Sequence, residues 1–263
     1  MSKTAVITGA TSGIGAAYAR RLAKDGYDLI ITGRKKETIQ KLADNISKQY
    51  KIKVDVIIAE LSNDNDFQKL ANTVKANNEI EILINNAGYS GYARHFEEVD
   101  IAEHEKMVKV HEIIPLRLIS LILPGMIKRG KGNIINVCSV AAILSTPGNT
   151  VYSGTKAFLK SYSQGLYQEV RDKGIKVQAL CPGFTNTNFA KDYYAKELYD
   201  NVMKSTEKTI MAPGKVVDYS LKCLKKDQFV CIPGFRNRMM AMFLPPIPMG
   251  MYINMAKKMT PFK

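Results

Sequence analysis

The 263-residue chain is long enough to bury the core of one large α/β domain or two small ones, and its 46% apolar content is ordinary for a soluble globular protein. Its formal charge of +14 comes from basic residues scattered along the chain, with no aromatics interleaved as stacking platforms. That argues against nucleic-acid binding and for a solvated basic surface that attracts a phosphorylated ligand. The amino-terminal MSKTAVITGA leaves no room for a cleavable signal sequence, and no unbroken apolar run of about 18 residues indicates a membrane-spanning helix. Cys138, Cys181, Cys223 and Cys231 show neither paired nor metal-like spacing, so no metal site is expected and a reducing cytoplasm fits best.

Short apolar runs alternate with stretches of helical length. The runs are TAVIT (4–8), DLIIT (28–32), VDVII (54–58), IEILI (80–84), NIINVC (133–138), KVQALC (176–181) and QFVCI (228–232). They are continuous rather than alternating, as strands covered on both faces read. Between them, 13–25, 35–50, 64–77, 101–129 and 150–173 have helical length. Strand-then-helix order predicts a parallel sheet with helices on both faces, and no internal repeat, linker or composition break appears before about residue 186, so the whole chain is expected to be one domain.

The first predicted strand runs into Gly9-Ala10-Thr11-Ser12-Gly13-Ile14-Gly15, which opens the first helix. Glycines there allow a tight reversal, close approach of backbone to a pyrophosphate, and close helix–sheet packing, while the helix end offers unpaired N–H groups to the anion. The second strand ends in Gly33-Arg34-Lys35-Lys36. A carboxylate at that place would hold a ribose 2′-hydroxyl. A guanidinium instead favours a 2′-phosphate, and therefore NADPH. After the fourth strand comes Asn85-Asn86-Ala87-Gly88, whose amides suit backbone groups at the sheet end and the border of an adenosine pocket.

Ser139 ends the fifth run, and Tyr152 and Lys156 follow in YSGTK. Four residues apart on a helix, the phenol and the ammonium share one face. The positive charge favours phenolate and pulls the tyrosine pKa down from about 10, giving an acid that works near neutral pH. Ser139 can bond the same substrate oxygen. Such a trio reduces a carbonyl or oxidises an alcohol.

Taken together, TGATSGIG (8–15), NNAG (85–88), Ser139, YSGTK (152–156) and Pro182-Gly183 resemble the short-chain dehydrogenase/reductase family in order and spacing across roughly 4–190. The resemblance implies a Rossmann-type doubly wound sheet of about seven parallel strands and hydride transfer with a nicotinamide cofactor. It implies that Tyr152 is the acid/base, that Lys156 tunes it and anchors the ribose, and that Ser139 binds the substrate oxygen. Pro182, Gly183, Thr185 and Thr187 would border the nicotinamide. Two positions depart from the family. His111 stands where an asparagine usually holds a relay water, and either a relay or a purely backbone-satisfying role is open to it. Glu60-Leu61 stands where an aspartate often borders the adenine, and Glu60 could reach the same amino group.

Residues 186–215 are expected to cover the substrate, with Phe189, Tyr193, Tyr194 and Tyr199 either facing a pocket or packing the segment down. The tail 235–263 mixes methionine, basic residues and Pro245, Pro246 and Pro248, which exclude one continuous helix. Packing on its own or a partner subunit, weak contact with an anionic membrane surface, and a mobile end are all open for it. The expected activity is NADP(H)-dependent reduction of a ketone on a lipid-like substrate such as a 3-oxoacyl thioester or steroid, in a homodimer or homotetramer. The alternative is a non-catalytic NADP-binding sensor or scaffold on the same fold.

Overall fold

Seven strands form one sheet: β1 (Thr4–Ile7), β2 (Asp28–Gly33), β3 (Val54–Ile58), β4 (Ile80–Asn85), β5 (Gly132–Val137), β6 (Ile175–Leu180) and β7 (Val230–Cys231). The computed structural model describes residues 3–243 except 92, 146, 188, 190–195, 197–199, 201–203 and 205–209, together with 248, 250, 251, 253 and 254. The sheet order is β3-β2-β1-β4-β5-β6-β7, and every pairing is parallel. The chain moves outward from β1 to β3, then returns to place β4 on the other side of β1. The carboxyl ends of β1 and β4 therefore flank the point where the order reverses, the place where open α/β sheets bind ligands.

Helices α1 (Gly13–Lys24), α2 (Lys36–Tyr50) and α7 (Pro213–Lys225) cover one face of the sheet. Helices α3 (Asp64–Lys75), α5 (Ile114–Arg129) and α6 (Thr150–Val170) cover the other. Successive strand residues go to opposite layers: Ala5 and Ile7 pack under α1, whereas Val6 packs on the α3 and α5 side. Both faces are covered, which is why the strands read as unbroken apolar runs.

The stretch 101–129 departs from a simple helix. It is α4 (Ile101–Val108), a five-residue π-turn (Lys109–Ile113), and then α5. Pro115 lacks the N–H that would pair one turn back, and its ring would press on the carbonyl of residue 111. A widened turn just upstream relieves both problems. The π-turn also leaves His111 buried, at 1% exposure.

The expectation that no helix suits a membrane needs correcting. The 29 residues Ile101–Arg129 include an 18-residue window of mean hydropathy 1.6, long and apolar enough to cross one by length and composition. Scattered charges such as Lys109, Glu112 and Arg117 break the apolar run and hid it. In this fold Ile114, Leu118, Ile119, Ile122 and Met126 are buried against the sheet.

Two helices beyond β6 were not foreseen. α7 begins with proline at its first turn and buries Val216, Val217, Ser220, Leu221 and Leu224. Tyr18 of α1 donates to Ser220 Oγ, which donates to Gln178 Oε1 of β6, and Gln178 Nε2 donates to the Ser220 carbonyl at 3.1 Å. The second helix, α8 (Phe235–Phe243), ends before the proline run and leaves Phe235, Met242 and Phe243 exposed. Tyr193, Tyr194, Tyr199, Pro245 and Pro246 lie outside the described residues.

Candidate active site

Two loops meet at the reversal point. Thr8, just past β1, accepts hydrogen bonds on Oγ1 from the backbone N–H groups of Asn86 and Ala87, each 2.9 Å. The Asn86 side-chain amide donates in return to the carbonyls of Thr8 (2.9 Å) and Gly9 (3.0 Å). The glycine turn and the NNAG segment are thus one hydrogen-bonded unit. Gly9 has φ +67°, and a Cβ there would come within 2.8 Å of the Ala87 backbone. A Cβ on Gly15 would strike the Gly9 carbonyl oxygen. Neither position tolerates a side chain, so the helix end is reached by bare backbone. Ser12, at the N-cap of α1, makes no side-chain capping bond, which leaves first-turn N–H groups free for an anion.

The far wall is set by β2 and β3. Arg34 Nη1 lies 3.2 Å from Glu60 Oε2, so the two residues expected to contact a cofactor separately are paired with each other. Burial pushes the Glu60 carboxyl up, but hydrogen bonds from Ser62 and Arg34 outweigh it and hold the group below its usual range. Leu61 is buried in the core with Phe67 and Leu70, so only its backbone can face a ligand. Thr11 lies directly against Gly33.

Opposite these loops stand Ser139, Tyr152 and Lys156. Ser139 caps a short 3₁₀ turn, and its Oγ accepts from the Ala141 N–H at 3.1 Å, which leaves the hydroxyl proton free to be donated. α6 packs against this turn. Lys156 is 4% exposed, and its Nζ donates to the Val137 carbonyl at 3.1 Å, two residues before Ser139. The same Nζ lies 5.7 Å from the centroid of the Tyr152 ring. Burial pulls the ammonium pKa down to about 8, opposed by the neighbouring Cys138 and Cys181 thiols. Helical spacing alone makes this pair.

Other residues fix the trio in place. Asn85 Nδ2 donates to Asn136 Oδ1 (2.8 Å), Asn136 Nδ2 to Ser163 Oγ (2.8 Å), and Ser163 Oγ to the Leu159 carbonyl (2.6 Å). This buried chain ties β4, β5 and α6 together. Asn136 was not singled out from the sequence, although an amide flanked by apolar residues on both sides in the run NIINVC was the available signal. His111 lies beneath the NNAG loop. Its Nε2 faces the Tyr89 N–H at 3.1 Å and its Nδ1 faces Thr155 Oγ1 at 3.0 Å.

The segment after β6 closes the arrangement. The Val140 N–H donates to the Pro182 carbonyl at 3.0 Å, and Gly183 packs on the Asn237 side chain. Thr185 Oγ1 donates to the Gly183 carbonyl at 3.1 Å, and Thr187 lies against Gly13 at the start of α1. The segment therefore arches from the Ser139 turn back to the glycine turn. Phe189 meets the Tyr152 ring edge-on, with 6.1 Å between centroids. A groove of about 600 Å³ over Ser12, Gly13 and Thr187 opens on the outer side of this arch and does not touch Tyr152. Lys156 lies elsewhere, with its Nζ against the Tyr152 ring and on the Val137 carbonyl beside the Ser139 turn.

An all-parallel sheet with a glycine turn at its reversal point, facing a serine, a tyrosine and a buried lysine, defines a dinucleotide-dependent oxidoreductase of carbonyl and alcohol groups. The chain belongs to the short-chain dehydrogenase family, whose model matches residues 3–198. It is 37% identical over 190 residues to very-long-chain 3-oxoacyl-CoA reductase of Anas platyrhynchos, covering 71% of this chain and 61% of that protein. The protein of that name from Homo sapiens is 30% identical over 264 residues, covering 98% of this chain and 84% of that one. Among solved structures, a short-chain dehydrogenase from Sphingobium yanoikuyae in complex with NADPH superposes with a TM-score of 0.81 at 30% identity, covering 91% and 92% of the two chains.

Proposed function

We propose that this protein is an NADPH-dependent reductase of a ketone on a long, apolar substrate, with a 3-oxoacyl thioester as the favoured class. The observation that carries the reading is the buried Lys156 ammonium, held by the Val137 carbonyl beneath the Tyr152 ring and next to the Ser139 turn. A desolvated charge in that place has a cost, and a structural lysine would not need it. Its use is to stabilise the negative charge that forms on the phenol.

The residues present suit the cofactor. Glycines at 9 and 15 let the turn close tightly on itself and on the NNAG loop, the first-turn N–H groups of α1 offer donors to a pyrophosphate, and Arg34 offers a planar fork to a 2′-phosphate. When bound, the reduced nicotinamide supplies a hydride to the carbonyl carbon. The protein does the rest. Ser139 Oγ–H and Tyr152 O–H hold the substrate oxygen, Tyr152 gives it a proton, and Lys156 stabilises the resulting phenolate. The arch from Pro182 to Thr187 and the Phe189 ring shield the reacting atoms from water.

The acyl-CoA class is supported by the names of the relatives and by the apolar Phe189 ring beside Tyr152. NADPH oxidation by the purified protein with a panel of 3-oxoacyl thioesters, steroids and small ketones tests it. Tyr152→Phe is expected to lower turnover by about 10³-fold or more while leaving NADPH affinity nearly unchanged. Turnover that survives the substitution would remove Tyr152 from the chemistry.

A further inference from the structure

His111 stands where the family usually has an asparagine, and its surroundings decide what it can do. The ring lies between Tyr89 and Tyr152, with centroids 5.4 Å and 5.8 Å away and both contacts edge-on. Gly88 sits so close that a Cβ there would come within 2.8 Å of Nε2. The π-turn directs the side chain into this slot, at 1% exposure.

The hydrogen bonds form one directed chain. The Tyr89 backbone N–H can only donate, so His111 Nε2 must accept. In a neutral imidazole the proton then resides on Nδ1, which donates to Thr155 Oγ1. The Thr155 hydroxyl in turn donates a hydrogen bond to the Tyr152 backbone carbonyl at 2.8 Å. Reversing the chain would set an Nε2 proton against the Tyr89 N–H, donor against donor. Both ring nitrogens are therefore committed, one to the loop after β4 and one to Thr155 in the second turn of α6, which holds the first turn through the Tyr152 carbonyl.

We propose that His111 is a positioning residue that clamps the first turn of α6, and with it Tyr152, to the NNAG loop as a fixed neutral Nδ1–H imidazole, and that it carries no proton. The proposal rests on Tyr152 being the acid of the reduction. The imidazole has neither a free lone pair for an incoming proton nor a spare proton to release. Taking a second proton would break the bond to Tyr89. Burial and the nearby Lys156 charge both oppose that, holding the imidazole pKa well below its ordinary value. The titratable side chains facing the ring are Tyr89, Tyr152 and Lys156.

Nitrogen-15 NMR of the full-length wild-type protein gives a readout independent of turnover. The chain has three histidines, so the His111 signals are assigned by their loss in His111→Gln. The expected result is an Nδ1–H tautomer whose shifts stay constant from pH 8 to pH 5. An Nε2–H tautomer, or an ordinary titration in that range, overturns the proposal even if ketone reduction is confirmed. Kinetics supply the second arm. His111→Phe removes both bonds and is expected to lower kcat by about 10²-fold through misplacement of Tyr152. The KM for NADPH should change less than twofold and the pH profile should keep its shape. His111→Gln retains one acceptor and one donor and should recover part of the loss. A phenylalanine variant as fast as the glutamine variant, or one that loses a limb of the pH profile, overturns the clamp. If the wild type reduces no ketone, the functional reading fails, and the NMR result still judges the tautomer and the clamp.

Discussion

Replacing Lys156 by Met should stabilise the resting protein while abolishing its activity. The amine is 4% exposed, and its pKa falls from 10.5 to about 8 on folding. At neutral pH that lowering corresponds to roughly 3 kcal/mol of stability lost by burying the charge. Methionine fills the space without a charge, at the loss of one hydrogen bond to Val137 that contributes about 1 kcal/mol. The net expectation is a gain of about 2 kcal/mol at pH 7. The sign with pH follows from the folded value lying below the unfolded one. Between pH 8 and 10.5 the unfolded chain holds a proton that the folded chain has released, so wild-type stability rises with pH across that window. The variant lacks this gain, and its advantage should vanish by the top of the window. Urea unfolding of both proteins at pH 7 and pH 10, extrapolated linearly, measures the difference. A methionine variant that is less stable at pH 7, by an amount constant with pH, would refute the claim that the fold bears a desolvation cost at this position.

Arg34→Ala should weaken NADPH relative to NADH by about 10- to 100-fold, the loss of one charge-assisted phosphate contact. Steady-state KM values with each cofactor check this, and equal losses with both would leave Arg34 with its Glu60 pair alone. Asn136→Ala removes the middle of the Asn85–Asn136–Ser163 chain, strands buried polar groups on both sides, and should cost roughly 3 kcal/mol in urea unfolding. A cost under about 1 kcal/mol would show that the chain adds little to the anchoring of α6.

Much of this architecture could be read before any coordinates. The strands were legible because helices on both faces make each one a continuous apolar run, and β1 through β6 lie within one residue of the expected spans at either end, β3 matching both ends. The adjacency of Tyr152 and Lys156 was legible because it needs only helical periodicity. Contacts that depend on how separate elements lie together were not. The Arg34–Glu60 pair is set by the neighbouring ends of β2 and β3, and no local pattern records it. The π-turn was hidden because a proline near position 115 reads equally well as a helix start or a kink. Its consequence, the two-sided hydrogen bonding of His111, therefore needed a structure. α7 was overlooked because its apolar stripe begins just after a segment already read as covering the substrate.

The Tyr18–Ser220–Gln178 connection gives α1 two attachments. One end of the helix opens on the glycine turn, and its middle is bolted to α7 near the carboxyl end of the chain. Loosening α7 would unseat the helix whose first turn is proposed to receive the pyrophosphate, so on that reading nucleotide affinity and the integrity of the last third of the chain share one free-energy ledger. A dinucleotide present at a hundred times its dissociation constant would then lend its roughly 2.7 kcal/mol to the distant α7 docking as much as to the loop it touches.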